Sequence, residues 1–112
     1  MALTLKSERR ADAVLITLTG RLTIGDATDE FRTAIHEAIA AGDKKFIVDL
    51  SGVVYVDSSG LGELVSGMVA ARREGGDLEL AEVPPRIKDL LHVSKVYTAF
   101  RLVSLNRDDH AA

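Results

Sequence analysis

The chain has no cysteine among its 112 residues. That absence removes disulfides, thiolate nucleophiles and cysteine-based zinc sites together, and it fits a reducing compartment. Aromatic residues make up only 4% of the chain and tryptophan is missing, so the core must be built from Leu, Ile, Val and Ala. Positive charge is short as well: 14 Lys and Arg stand against 17 Asp and Glu, for a formal net charge of −3. A nucleic-acid binder needs a basic footprint to displace counterions, so this balance argues against that class. The local pair Arg72 and Arg73 reads as a solvated helix end favoured by the macrodipole. No apolar run approaches the roughly 18 residues that span a bilayer. Met1 to Arg10 alternates polar and apolar residues and lacks the apolar stretch of a signal peptide. The expectation is a soluble cytoplasmic protein with neither nucleic acid nor membrane as partner.

What is present amounts to one domain, 1–112, long enough to bury about two-thirds of its unfolded surface without staples. Its ordered core is expected over about 3–103, with a polar tail at 104–112 that frays. Leu3, Leu5 and Ser7 alternate with polar neighbours and predict a half-buried edge strand, followed by a turn at Ala11-Asp12. Ala13 to Leu18 predicts an antiparallel partner that Gly20 breaks, with Arg21 to Ile24 as a short extended piece. Asp26 is a candidate N-cap for a first helix, in which Phe31, Ile35, Ala38 and Ile39 recur at helical spacing, and Gly42 follows its end. Lys45 to Leu50 reads as a strand buried on both faces, Ser51-Gly52 as a turn, and Val53 to Val56 as a second short apolar run. A second helix carries Leu61, Leu64, Val65, Met68 and Ala71 on one stripe and ends at Gly75-Gly76. Asp77 to Glu82 predicts another strand, Pro84-Pro85 opens a short third helix with Ile87, Leu90 and Leu91 inward, and Phe100 to Val103 is the last strand. The order β-β-α-β-α-β-α-β implies an α/β fold with a mixed, mostly parallel sheet and an antiparallel N-terminal strand. That first strand could leave an edge open for pairing, so a monomer or a weak dimer is expected.

Asp57-Ser58-Ser59-Gly60-Leu61-Gly62 sits where a strand feeds a helix. In open α/β sheets chemistry gathers at the carboxyl ends of strands. The first helical turn offers unpaired N–H groups and a partial positive charge that favour a phosphate. Asp57 or Ser58 also reads as a plain helix cap. Gly60, Gly62 and Gly67 each cost about 1 kcal/mol relative to alanine inside a helix. Two returns would offset that cost: close approach of the helix to the sheet, or a smooth surface for a partner.

Val56-Asp57-Ser58-Ser59-Gly60-Leu61-Gly62 resembles the signature of the STAS domain, the fold of bacterial anti-sigma factor antagonists. The resemblance extends to Leu18-Thr19-Gly20-Arg21-Leu22, Val48-Asp49-Leu50-Ser51-Gly52, Gly75-Gly76-Asp77-Leu78-Glu79-Leu80 and Pro84-Pro85-Arg86-Ile87. It implies that Ser59 is a phosphoacceptor. It also implies a partner anti-sigma factor that is a serine kinase and brings ATP and Mg²⁺. Unphosphorylated, the domain would bind that partner and free a sigma factor; a metal-dependent Ser/Thr phosphatase would reverse the mark. No cofactor and no catalysis belong to the domain itself. A phosphoserine of about −1.5 to −2 charge beside Asp57 and near Glu63 would alter a docking face rather than unfold the domain. Leu61 would supply apolar contact or anchor the loop. Many family members carry an aspartate after the Gly-x-Leu of the second strand, where it helps meet the kinase; Thr23 stands there in this chain, Asp26 three residues on is the candidate substitute, and Glu63 and Gly67 are the other candidate partner contacts. That departure keeps open a STAS module of another signalling scaffold, one that does not act on a sigma factor.

Two enzymatic readings fail on the sequence. A receiver domain phosphorylated on Asp57 would need an acidic pair after an early strand, where Thr19-Gly20-Arg21 stands. A serine hydrolase would need a Gly-x-Ser-x-Gly elbow, which Asp57-Ser58-Ser59-Gly60 does not match, and none of His36, His92 and His110 has a triad role. Three scattered histidines also lack metal-ligand spacing.

Overall fold

The alternating apolar residues at the N-terminus fold into a hairpin. A computed structural model describes residues 2–105. In it β1 (Thr4–Arg10) runs antiparallel to β2 (Ala13–Leu22), with Thr4 opposite Thr19 and Arg10 opposite Ala13. β1 is an edge strand and is largely exposed. From β2 the chain alternates helix and strand: α1 (Asp26–Ala40), β3 (Lys45–Val56), α2 (Ser58–Arg73), β4 (Asp77–Ala81), α3 (Pro85–Val93), a 3₁₀ turn (Tyr97–Ala99) and β5 (Leu102–Val103). Among the described residues the five strands lie in the order β1-β2-β3-β4-β5, and every pair after the first is parallel. The α/β class, the strand–helix order and the antiparallel first strand all match the sequence expectation.

Each parallel connection steps to the next strand in the same direction, and right-handed crossovers therefore put the helices on one face of the sheet. This corrects the expectation for β3. Phe46, Val48 and Leu50 are buried, but Ile47 and Asp49 between them are only half-buried. The strand is covered from one side, not both. The core lies between that face and the helices: Phe31 and Ile35 from α1, Leu64 and Ala71 from α2, and Leu91 from α3 pack with Ile16, Leu18, Val48, Leu78 and Leu80.

Two predicted breaks turn out to be bulges. β2 does not stop at Gly20 but continues to Leu22. Gly20 takes φ 110°, a side chain there would overlap the Ala2 carbonyl oxygen, and the register with β3 shifts between Gly20 and Arg21. Ser51-Gly52 is likewise not a turn. β3 runs through it while the pairing jumps from Thr17–Asp49 to Thr19–Gly52, and the Asp49 carboxylate accepts the Ser51 N–H at 2.9 Å. Bulges absorb an extra residue and bend the strand. The functional consequence lies at the far end: β3 delivers Asp57 beside Leu22, whose carbonyl accepts the Asp57 N–H at 3.3 Å.

The helix ends follow local chemistry. Gly25, not Asp26, occupies the N-cap position of α1, at φ 117°. Asp26 is the first helical residue, where its charge favours the dipole. The buried Thr28 hydroxyl closes the turn, accepting the Gly25 N–H and donating to the Gly25 carbonyl. Gly42 and Gly75 follow α1 and α2 in the left-handed region, as expected of C′ residues. β4 ends one residue early because Glu82 turns to φ 53°. The run before β5 coils into the 3₁₀ turn, so that β5 is shorter than predicted. Of the tail, Ser104 and Leu105 are described, and both donate to the Glu82 carboxylate. Residues 106–112, with His110, lie outside the described residues.

Candidate functional site

The segment singled out in the sequence forms the junction of β3 and α2, and Asp57 is its clamp. Asp57 is the N-cap of α2: its Oδ1 accepts the Gly60 N–H at 2.7 Å. Its Oδ2 accepts the N–H of Ile24 at 3.0 Å, in the loop between β2 and α1. One carboxylate thus satisfies an orphan donor of the helix and ties a second loop to it. The Ile24 N–H, then the Gly60 N–H, hold this carboxyl below the usual carboxylate range, against the opposing effect of partial desolvation. With both oxygens bound to backbone donors, Asp57 is a structural anchor, which disfavours any role as a phosphoacceptor.

This clamp carries a pH signature. A carboxyl whose folded pKa is depressed contributes stability above its unfolded value, near 4, and loses it as pH falls through the folded value. Asp57→Ala is expected to cost about 1 kcal/mol at pH 7. The gap in melting temperature between wild type and Asp57→Ala should then narrow as pH is lowered from 5 towards 3. A gap that stays constant across that range would contradict the clamp.

The two serines are placed differently. Ser58 is exposed, and Ser59, the second residue of α2, is half-exposed. Ser59 lines a cleft of about 540 Å³ between the start of α2, the β2–α1 loop and α1, whose walls include Gly25, Thr28, Arg32, Gly62 and Glu63. Glu63 sits one turn from Ser59 and is only 17% exposed. It accepts from the Arg32 guanidinium, with Nη2 at 2.6 Å and Nε at 3.2 Å, while Arg32 Nη1 lies 3.2 Å from Asp29.

The glycines divide between the two returns that would offset their cost. Gly60 is buried, and a side chain there would overlap the Leu22 carbonyl oxygen. Gly67 is buried as well, with Leu78 of β4 at 3.0 Å from where a Cβ would stand and Phe31 of α1 at 3.6 Å. Both serve close approach of α2 to the sheet. Gly62 is exposed and nothing lies within 4 Å of its missing Cβ. It gives no packing benefit and leaves the cleft mouth open. Leu61 points inward, 8% exposed, and anchors the helix start to the core. Gly62, Ser66 and Val69 recur at one-turn spacing along the outer side of α2. Ile24, 75% exposed, stands on the loop clamped by Asp57.

Thr23 is half-buried in that same loop, and Asp26 is exposed at the start of α1; neither lines the Ser59 cleft. The sequence reading missed Ile24, Thr28 and Arg32. Nothing in periodicity marks them, because their roles arise from tertiary neighbours. His36 is exposed, and His92 stacks on Tyr97 at 3.9 Å between ring centroids. Among the described residues no group of three or more His, Asp and Glu could hold a metal ion, and no helix is long and apolar enough to cross a membrane.

Residues 5–104 match the family model described as Mlab, STAS domain. A STAS-domain containing protein of Pseudomonas aeruginosa is 30% identical over 102 residues, covering 91% of this chain and 99% of that protein. An anti-sigma F factor antagonist of Paenibacillus polymyxa is 28% identical over 98 residues, covering 87% and 83%. Among solved structures, the anti-sigma factor antagonist SpoIIAA in its unphosphorylated form superposes with TM-score 0.77 at 20% identity, over 96% of this chain and 94% of that one. The Bacillus cell fate determinant SpoIIAA in its phosphorylated form gives 0.76 at 21% identity, over 96% of each.

Proposed function

The chain belongs to the STAS domain family, and on that premise we propose that it is an anti-sigma factor antagonist switched by phosphorylation of Ser59. Unphosphorylated, it binds an anti-sigma factor that is also its serine kinase, and so releases a sigma factor in the cytoplasm. The kinase brings ATP and Mg²⁺, a Ser/Thr phosphatase restores the free hydroxyl, and the domain performs no catalysis. The observation that carries this reading is the placement of Ser59. Its hydroxyl-bearing residue is accessible at the first turn of a rigidly capped helix, beside the exposed Ile24 and Gly62 that a partner can press against. The anti-sigma F factor antagonist among the relatives supports the class of partner. A phosphate there adds about −1.5 to −2 charge to a surface already holding Asp57 and Glu63, and repels a partner fitted to the neutral serine. The fold matches SpoIIAA in both forms almost equally, which supports a change of docking face rather than of fold.

Thr23 favours a second reading, since the family's frequent aspartate is absent at that position. In it the same Ser59 switch serves a signalling scaffold without a sigma factor. The two share one first test. The purified chain is incubated with ATP, Mg²⁺ and lysate of its source, and its intact mass is measured. Wild type and Ser58→Ala are expected to gain one phosphate and Ser59→Ala none. No phosphate on any of the three, while another kinase pair works in the same lysate, would overturn the switch.

A further inference from the structure

Among the described residues, four charged side chains stand around Ser59. Asp57 precedes it on the same junction, Glu63 lies one turn along α2, and Asp29 and Arg32 face it from α1; the β2–α1 loop adds no charge at Thr23, Ile24 or Gly25. Three are carboxylates. Among the described residues that line the cleft, Arg32 is the only cation. Residues four apart on a helix face are neighbours, about 5–6 Å between Cβ atoms. The Arg32 guanidinium, 2.6 Å from the Glu63 carboxylate, lines the same cleft as Ser59. Gly62, with nothing within 4 Å of its missing Cβ, puts no side chain between them. Arg32 is itself 47% exposed and shared between two carboxylates, so its fork can turn towards a third anion without leaving a buried cation behind.

We propose that Arg32 is the counter-ion of the Ser59 phosphate: on phosphorylation its guanidinium swings from Glu63 to the phosphoryl oxygens and bridges α1 to α2 across the cleft. This rests on the reading of Ser59 as a phosphoacceptor and adds what receives the mark. Arginine matches phosphate oxygens with paired N–H donors, as its Nε and Nη2 already do the Glu63 carboxylate, and a phosphate of about −1.5 to −2 charge outweighs that single negative charge. The transfer leaves the Glu63 carboxylate without its cation and turns one phosphate into a change of charge over the whole cleft mouth. It also ties the dianion to the fold instead of leaving it opposed only by three like charges.

The test uses the full chain with phosphoserine placed at position 59 during synthesis, so that no kinase is needed. The second ionisation of the phosphate, near 6 in a free phosphoserine, is followed by ³¹P NMR. A nearby cation favours the dianion, so Arg32→Ala should raise that pKa by about half a unit or more. Because Arg32→Ala leaves Glu63 unpaired and could disturb folding, the same comparison is made between Glu63→Gln and Glu63→Gln with Arg32→Ala. The removal of Arg32 should raise the value there too. An unchanged phosphate pKa in both backgrounds would overturn the proposal. That result would leave Ser59 phosphorylation in lysate standing, whereas a lysate that never modifies Ser59 would remove the reading beneath it and leave the ³¹P shift in place.

Discussion

Ser59→Glu is expected to weaken binding to the anti-sigma partner at least about tenfold, which is about 1.4 kcal/mol, while the fold stays intact. The loss arises at the surface. A carboxylate at position 59 faces Asp57 and Glu63 within the docking face, and like charges brought together under a partner cost several kcal/mol. Stability responds to opposing small terms. A negative charge in the first helical turn gains about 0.3–1 kcal/mol from the dipole, and repulsion from the neighbouring carboxylates offsets it. Substitutions of this kind at the surface stay within about 0.5 kcal/mol, so the melting temperature should move by no more than about 4 °C. Calorimetric titration of the partner and a thermal melt read the two quantities separately. A weakened complex with an unchanged melt supports an interface switch. A variant that binds poorly because it has unfolded would contradict it.

The glycines of α2 give the second large effect, and its sign differs between neighbours. Gly60→Ala places a methyl group on the Leu22 carbonyl oxygen, which is backbone and cannot rotate away. Overpacking of this kind costs about 1–3 kcal/mol, and the better helix propensity of alanine returns about 1 kcal/mol at most. Because Asp57 caps through the Gly60 N–H and holds Ile24 with its other oxygen, a displaced Gly60 also loosens the β2–α1 loop. A fall in melting temperature of about 10 °C is expected. Gly62→Ala meets nothing within 4 Å. It should keep or raise stability through propensity and yet lower partner affinity, because it fills the cleft mouth. Equal melting temperatures for the two variants would contradict this division of roles.

Much of this is legible in the sequence alone. The 3.6-residue stripe of Phe31, Ile35, Leu64, Met68 and Ala71 gave both long helices, and the alternating strands and helices gave the parallel sheet. Asp57, Ser59, Gly60 and Gly62 stood out because a strand end, a cap residue and costly glycines coincide there. What stayed hidden depends on neighbours far along the chain. Gly20 and Gly52 looked like strand breaks, since only the partner strand reveals a bulge. The half-buried Ile47 in β3 could not be foreseen, because a near-continuous apolar run does not say on which face the helices lie. Asp26 looked like a cap until Thr28 and Gly25 closed the helix start between them. Arg32 looked like any solvated helix charge, and only the packing of α1 against α2 brings it to Glu63 and the Ser59 cleft.

One phosphate on Ser59 is expected to close a docking face without refolding the domain. The most direct measurement is a calorimetric titration of the kinase that modifies Ser59, purified, with the unmodified chain and with the chain carrying phosphoserine at 59. A complex is expected with the unmodified chain, and an affinity at least about tenfold lower for the phosphorylated one, at unchanged far-ultraviolet circular dichroism. Equal affinity for the two forms would contradict it.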